Sequence, residues 1–365
     1  MNLAGASGRR AHQSALALAA ALLCLLASPP PAVATPHGPS PGHPAPTTGV
    51  ATETADGART IDRSWSAARR GAVEVEMALG TLRIVGTDDD AIELTGRIGA
   101  DALLDVDRDG RWTRLRIVRP PNAEVGGRLD LAGDLVLRVP AASDVSVRAQ
   151  QVELALEEVT GRLDLETVAG RVAVRGAPRE IEAVSVSAPF ELDVTTPRLR
   201  VRSVDGALQI AGAIEDLGAD TVSGELTVTA DIAQEARLVG MLGAIRVTGR
   251  LAATARLVAR TASAPLEIHL PPATTPAGAA EVVVRSQRGR FADDAGPSFD
   301  ATGPRGGPRT ERYLRGETAR RLELESFDGA IRILRTVSSR PTPSAAGTAE
   351  SFSDGSALAS EADSP

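Results

Sequence analysis

The pattern Gly-x-apolar-x-apolar returns seven times along this chain: Gly80-Thr-Leu82-Arg-Ile84, Gly161-Arg-Leu163-Asp-Leu165, Gly170-Arg-Val172-Ala-Val174, Gly206-Ala-Leu208-Gln-Ile210, Gly224-Glu-Leu226-Thr-Val228, Gly243-Ala-Ile245-Arg-Val247 and Gly329-Ala-Ile331-Arg-Ile333. A tag that keeps its direction and recurs at about one coil length marks a stacked repeat, in which each unit buries its apolar side only against its neighbours. Two segments, Phe190-Glu-Leu192-Asp-Val194 and Ala264-Pro-Leu266-Glu-Ile268, fit the tag without its glycine. With them the marker falls at 170, 190, 206, 224, 243 and 264, in steps of 20, 16, 18, 19 and 21 residues.

Around the tags the pattern is strict alternation, as in Val73-Glu-Val75-Glu-Met77, Leu135-Val-Leu137-Arg-Val139, Val145-Ser-Val147, Leu199-Arg-Val201 and Leu322-Glu-Leu324. Apolar residues on one face and charged ones on the other are what period-two strand geometry requires. No convincing helical periodicity runs beyond two turns. Glycine at a coil corner is explained by a sharp turn with positive φ, and by letting neighbouring coils approach at the ~4.8 Å strand spacing. The fold expected is all-β, a single-stranded right-handed parallel β-solenoid with coils of about 18–21 residues. About eleven coils would make a rod of roughly 50 Å at that spacing.

An antiparallel β-sandwich is the alternative. Val168-Ala-Gly170-Arg, Val204-Asp-Gly206-Ala and Val222-Ser-Gly224-Glu could each close a two-residue hairpin. Strong hairpin turns should then recur every 8–12 residues, and these come about half as often. Residues 64–140 are less regular, and Asp109-Gly110 between Leu103–Val106 and Trp112–Ile117 predicts one true hairpin. Pro271 to Arg320, with Pro and Gly clusters around Val282-Val-Val284, reads as the largest surface excursion. Leu322–Leu334 is expected to cover the C-terminal end of the stack.

Composition agrees with a narrow core: apolar residues make up 42% of the 365 and aromatics only 2%. A slender stack filled by Val, Ile, Leu and Ala needs few rings, whereas a wide globular core uses more. The net charge of −7 gives no case for nucleic-acid binding. All 40 basic residues are arginine, read here as codon bias rather than chemistry.

The ends differ from the middle. Arg9, Arg10 and His12 precede the apolar run Ala15–Leu26 and Ala32-Val33-Ala34, the layout of a secretory signal over residues 1–34. That run is shorter than the ~20 residues a membrane span needs, so no span is expected in the mature chain. Cys24, the only cysteine, lies inside it, and mature protein would hold no disulfide. Residues 35–63 read as a Pro/Thr-rich disordered tether, 64–336 as the repeat domain with its excursion at 271–320, and 337–365 as a disordered Ser/Ala/Pro-rich tail.

Candidate chemistry is sparse. Asp105-Val-Asp107-Arg-Asp109-Gly110 matches the first half of a calcium loop, but the twelfth position holds Arg116 rather than glutamate, so it reads as an acidic hairpin. Asp88-Asp89-Asp90 reads as a solvated turn. His269 is the one histidine inside the repeat region, and triads, thiol nucleophiles and transition-metal sites lack their parts. Glu153, Glu157, Glu158, Asp164, Glu166, Asp193 and Glu225 lie on outward faces, none set above another. Arg305, Arg309, Arg312, Arg315, Arg320 and Arg321 form a basic stretch, the 302–321 loop, open to anionic envelope polymers. No catalytic, cofactor-binding or metal-ligating residue and no cofactor is assigned.

The signature Ser/Thr-Val-x-Gly-x-apolar-x-apolar, seen at Thr167–Val174, Ser203–Ile210 and Thr221–Val228, resembles the bacterial putative-adhesin family of exported β-strand-repeat proteins, a family of unknown function. Leu137-Arg-Val139-Pro140 and the closing Leu324-Glu-Ser-Phe-Asp-Gly329-Ala-Ile-Arg-Ile333 fit it too, so the likeness covers about residues 70–335. The resemblance implies an exported right-handed coil of strands at the periplasm or cell surface and supplies no catalytic residues. The expectation is a non-enzymatic adhesin-like binding or scaffolding module of the cell envelope, with an envelope, glycan or protein ligand. The alternatives are a β-helix polysaccharide lyase or hydrolase, for which three or more acidic side chains in register beside an arginine would speak, and an element that polymerises end to end.

Overall fold

The computed structural model describes residues 52–53, 58–119, 130–271, 278–302, 307–316 and 320–335. The expected signal, the tether up to residue 51 and the 337–365 tail lie outside these. The described residues form one mostly parallel, unclosed β-sheet system without helix. No helix among them is long and apolar enough to cross a membrane.

The N-terminal part comprises β1 (Thr52–Glu53), β2 (Arg59–Ser66), β3 (Ala72–Thr87), β4 (Ala91–Ile98), β5 (Leu103–Asp109), β6 (Trp112–Val118) and β7 (Ala132–Pro140). Strand β2 occupies part of the stretch expected to be tether. Here antiparallel and parallel pairing mix: β2 lies against β4, β4 against β7 and β5 against β6 antiparallel, while β3 joins β6 and β7 in parallel. The hairpin expected at Asp109-Gly110 forms, with Gly110 at φ 50°.

The repeats follow as β8 (Asp144–Glu157), β9 (Arg162–Gly176), β10 (Glu180–Ser185), β11 (Phe190–Ser203), β12 (Leu208–Thr221), β13 (Leu226–Gly240), β14 (Ile245–Thr248), β15 (Arg256–Thr261) and β16 (Leu266–Leu270). No hairpin closes at Gly170, Gly206 or Gly224: Gly170 lies within β9, and the strands on either side of Gly206 and Gly224 pair in parallel with those of the neighbouring repeats. Two faces result. On one, the column Leu82, Leu154, Val172, Phe190, Leu208, Leu226, Ile245 and Leu266 is in register. On the other, Val75, Val147, Leu165, Ala183, Val201, Ala219, Leu238 and Ala259 are. These side chains are buried and belong to one continuous core. Burying each leucine contributes about 1.5–3 kcal/mol, which is how a chain with so few rings stays ordered.

The register corrects the marker at 190. Phe190 pairs with Val172 and Leu208, so it is a fully buried core residue and the corner lies at Ala188. The uneven steps of 20 and 16 residues are two steps of 18. The Gly161 and Gly170 tags are not successive repeats of one position, since Leu163 and Val172 fall in the columns of different faces.

The C-terminal segment departs from expectation. Strands β17 (Ala280–Ser286), β18 (Arg290–Asp293), β19 (Ser298–Asp300) and β20 (Arg309–Arg315) fill the excursion, and β21 (Arg321–Ser326) and β22 (Ile331–Arg335) close the described chain. Strand β21 slots between β15 and β17, and β22 between β16 and β18, all parallel. The closing strands are therefore the last rung but one. The outermost rung is β17 and β18, backed antiparallel by β20 and β19. Val282, Val284 and Phe291 supply the apolar face that covers Leu322, Leu324 and Ile331.

Candidate binding surface

Corners set how tightly the coils stack. A Cβ on Gly224 would lie 2.1 Å from the Gly206 carbonyl oxygen, and one on Gly243 1.9 Å from that of Gly224. Close approach, rather than backbone conformation, selects glycine here: φ is positive at Gly170 (107°) but not at Gly206, Gly224, Gly243 or Gly329. At four corners a buried hydroxyl three residues earlier serves the turn, whereas Ser203 Oγ, before Gly206, has no partner and position 240, before Gly243, is itself glycine. Ser185 Oγ donates to the Ala188 carbonyl at 3.0 Å and accepts its N–H at 2.8 Å, and Thr221, Thr261 and Ser326 donate to the carbonyls of Gly224, Ala264 and Gly329. Buried corner carbonyls need such donors, and of the Ser/Thr-Val-x-Gly matches Thr221 supplies one, while Thr167 donates to the Ala169 carbonyl instead.

With the coils in register, outward side chains stack into columns of mixed charge. Arg162 bridges to Glu180 (3.5 Å), Glu180 to Arg198 (3.4 Å), and Arg200 to Asp216 (2.8 Å). Arg246 lies between Glu225 (3.4 Å) and Glu267 (3.3 Å), and Arg260 faces Glu325 (3.2 Å). Each such exposed pair is worth about 0–1 kcal/mol, so the ladders chiefly set surface chemistry. Among the described strands no outward column carries more than two acidic residues in succession: Asp164 with Glu182, then Arg200, and Asp216 with Glu235, then Arg256. Burial, then the nearby Glu182 charge, raises the Asp164 carboxyl above its ordinary range. Loss of solvent raises that of Asp220 against the opposing pull of Arg202.

At the corner opposite the glycines the coils leave an open groove of ≈ 500 Å³. It crosses four successive repeats at residues 195–197, 213–215, 231–233 and 250–252, and a register shift between Ile214 and Asp216 lies along it. Ile214, Ile232 and Leu251 form the buried floor. Thr195, Glu215 and the Asp231–Arg250 ion pair (2.5 Å) form the rim. The Arg250 hydrogen bond holds the Asp231 carboxyl below its ordinary range.

The residues singled out in the sequence fall apart in space. Asp105 pairs with Arg116, the residue at the position where a calcium loop carries glutamate, at 2.5 Å. Asp90 pairs with exposed Arg69, and half-buried His269 points outward between Thr248 and Leu334. Glu157 bonds Arg83 and Glu166 lies near Arg148. Among the described residues no group of three His, Cys, Asp or Glu could hold a metal.

The arginine stretch is not a free basic loop. Arg305 lies outside the described residues. Arg312 binds Glu281, and Arg321 binds Glu323. Buried Arg320 donates to the carbonyls of Leu251, Ala252 and Ala279, tying three segments together. Arg315 forms a fully buried ion pair with Asp293 at 3.0 Å, and Asp293 also accepts the Tyr313 hydroxyl at 2.5 Å and the Ala295 N–H at 2.9 Å. Burial, with the adjacent Asp293, pushes the Tyr313 phenol far up. Nothing in the sequence pointed to this cluster, because Asp293 and Arg315 lie on strands joined only by the fold.

No protein-family model matches the chain, and neither does any curated protein. Among solved structures, one similar chain is a putative cell adhesion protein from Clostridium sporogenes (9% identity, TM-score 0.20, 76% of this chain and 100% of that one). Others are putative adhesins from Bacteroides fragilis (12%, 0.30, 75% and 97%) and Parabacteroides merdae (12%, 0.33, 75% and 96%). Likeness at these TM-scores is too low to pass any property from those proteins to this chain.

Proposed function

We propose that this chain is an exported, non-enzymatic binding or scaffolding module of the cell envelope, wound as a single-stranded right-handed β-solenoid. The observation that carries the reading is the groove repeated across four coils. Floor positions Thr196, Ile214, Ile232 and Leu251, spaced at ~4.8 Å, form a track with one polar rim residue per repeat (Thr195, Glu215, Asp231, Arg250), which suits an extended ligand that is itself a repeating polymer, such as an envelope glycan. The charged columns beside it add alternating partners without forming an acidic cluster of the kind a lyase or hydrolase uses. Residues 1–34 act as the export signal, and the Pro-rich and Ser/Ala-rich ends as tethers.

The test is binding of the purified chain to a glycan array and to envelope fractions, alongside Ala213→Trp/Ala233→Trp. Both alanines line the groove and are exposed, so the rings fill it without touching the core. Saturable binding lost in the filled variant, with its circular dichroism unchanged, supports the reading. Shortened sugar products, or binding indifferent to the filling, overturn it.

A further inference from the structure

On one face of the sheet system the two end strands complement each other, while on the other β7, β4 and β2 continue past β3. On the face of Val75 and Val201 eleven parallel strands run from β6 through β3, β8, β9, β10, β11, β12, β13, β15 and β21 to β17, flanked by antiparallel β5 at one end and β20 at the other. Among the described residues β5 pairs only with β6, and β20 only with β17, so each leaves one row of backbone N–H and C=O groups open. Such rows are templates for a further strand.

Both edge strands have seven residues. Strand β5, Leu-Leu-Asp-Val-Asp-Arg-Asp, has three aspartates against one arginine. Strand β20, Arg-Thr-Glu-Arg-Tyr-Leu-Arg, has three arginines against one glutamate; Arg315 is buried in its pair with Asp293, so Arg309 and the exposed Arg312, which also meets Glu281, carry the positive charge of this edge. Each also holds unfinished apolar surface: Leu103, Leu104 and Val106 are half-buried on β5, while on β20 Tyr313 is half-buried and Leu314 73% exposed. Direction matches as well. Both strands run against the rungs they flank, so two copies stacked head to tail in one orientation would bring β20 of one alongside β5 of the next in parallel.

We infer that β5 and β20 form a head-to-tail contact between copies of this chain, continuing the sheet from one molecule into the next. Like charges disfavour β5 against β5 and β20 against β20, leaving β5 against β20 as the attractive combination. A contact between two different surfaces that repeats by translation along the stack does not close, so it builds linear chains rather than dimers.

Sedimentation velocity and light scattering of the full chain test this. The wild type should show a weight-average mass that rises past the dimer with concentration and falls with added salt. Asp107→Arg/Asp109→Arg and Arg309→Glu/Arg312→Glu should each remain monomeric, because each puts like charges at the junction. Mixing the two should restore the long species, since every junction in the mixture can again pair opposite charges; a folding defect in either variant would not be rescued this way. A wild type that stays monomeric, a mass that levels off at the dimer, or a mixture that fails to reassociate while both variants keep their wild-type circular dichroism overturns the inference.

Discussion

The buried pair Asp293–Arg315 gives the sharpest stability test, because it clamps the outermost rung to its backing strand. Both side chains are fully buried, and Asp293 collects Arg315, the Tyr313 hydroxyl and the Ala295 N–H. Arg315 is less well served: its Nε and Nη2 have no hydrogen-bond partner. Removing one partner of a buried pair strands the other charge and costs about 3–5 kcal/mol. Asp293→Ala should lie at the top of that range, since it leaves a guanidinium with no anion and orphans the Tyr313 hydroxyl, itself worth about 1–3 kcal/mol when unsatisfied. Arg315→Met should cost less, because Asp293 keeps two donors. The double variant should be milder than Asp293→Ala alone, with a coupling of several kcal/mol in the cycle, about the size of the stranded-charge penalty. Urea unfolding measures the three differences, and hydrogen exchange on β17 and β20 localises them, since coils in a stack can open from an end. A cost below about 1 kcal/mol for Asp293→Ala, or strict additivity, would refute the claim that this pair is desolvated and coupled.

Three further outcomes follow from the corners and columns. Gly224→Val puts a Cβ 2.1 Å from the Gly206 carbonyl oxygen and should destabilise by about 1–3 kcal/mol or more by thermal melting, whereas Ala264→Gly should change little. Ser185→Ala leaves the Ala188 N–H and C=O without their hydroxyl partner and should cost about 1–3 kcal/mol in urea, with Ser187→Ala, at an exposed position, near neutral. The Asp220 carboxyl titrates above its ordinary range in the folded chain, so the folded state binds its proton more readily than the unfolded one. Its contribution to stability therefore falls as pH rises from the unfolded pKa through the raised folded one. Asp220→Asn should remove that part of the pH dependence and raise stability at neutral pH; unchanged melting profiles from mildly acidic to neutral pH would contradict the assignment.

The repeat, the strand content and the in-register column Leu208, Leu226 and Ile245 were legible in the chain itself. Alternation at period two admits few other arrangements, and a directional tag carries its own register. Legibility failed where the tag was degenerate. Phe190-Glu-Leu192-Asp-Val194 imitates the tag with no glycine to mark the turn, but the ring is buried in the core column two residues on, and Ala188 is small enough to take the corner. The groove was invisible: the register shift between Ile214 and Asp216 shows in the chain only as a step of 19 residues (Gly224 to Gly243) after one of 18, and spacing alone does not say that the added residue borders a groove.

Strand formation, the apolar ladders that hold the strands, and the small or hydroxyl residues at several corners follow from local rules written into neighbouring residues. The order of the last rungs does not; it emerges only in three dimensions. Placing β21 and β22 inside β17 and β18 brings Asp293 to Arg315 and carries Arg320 to three separate carbonyls. Alternation says which side of a strand is buried and is silent on which edge it meets, so that choice belongs to contacts between residues far apart in the chain.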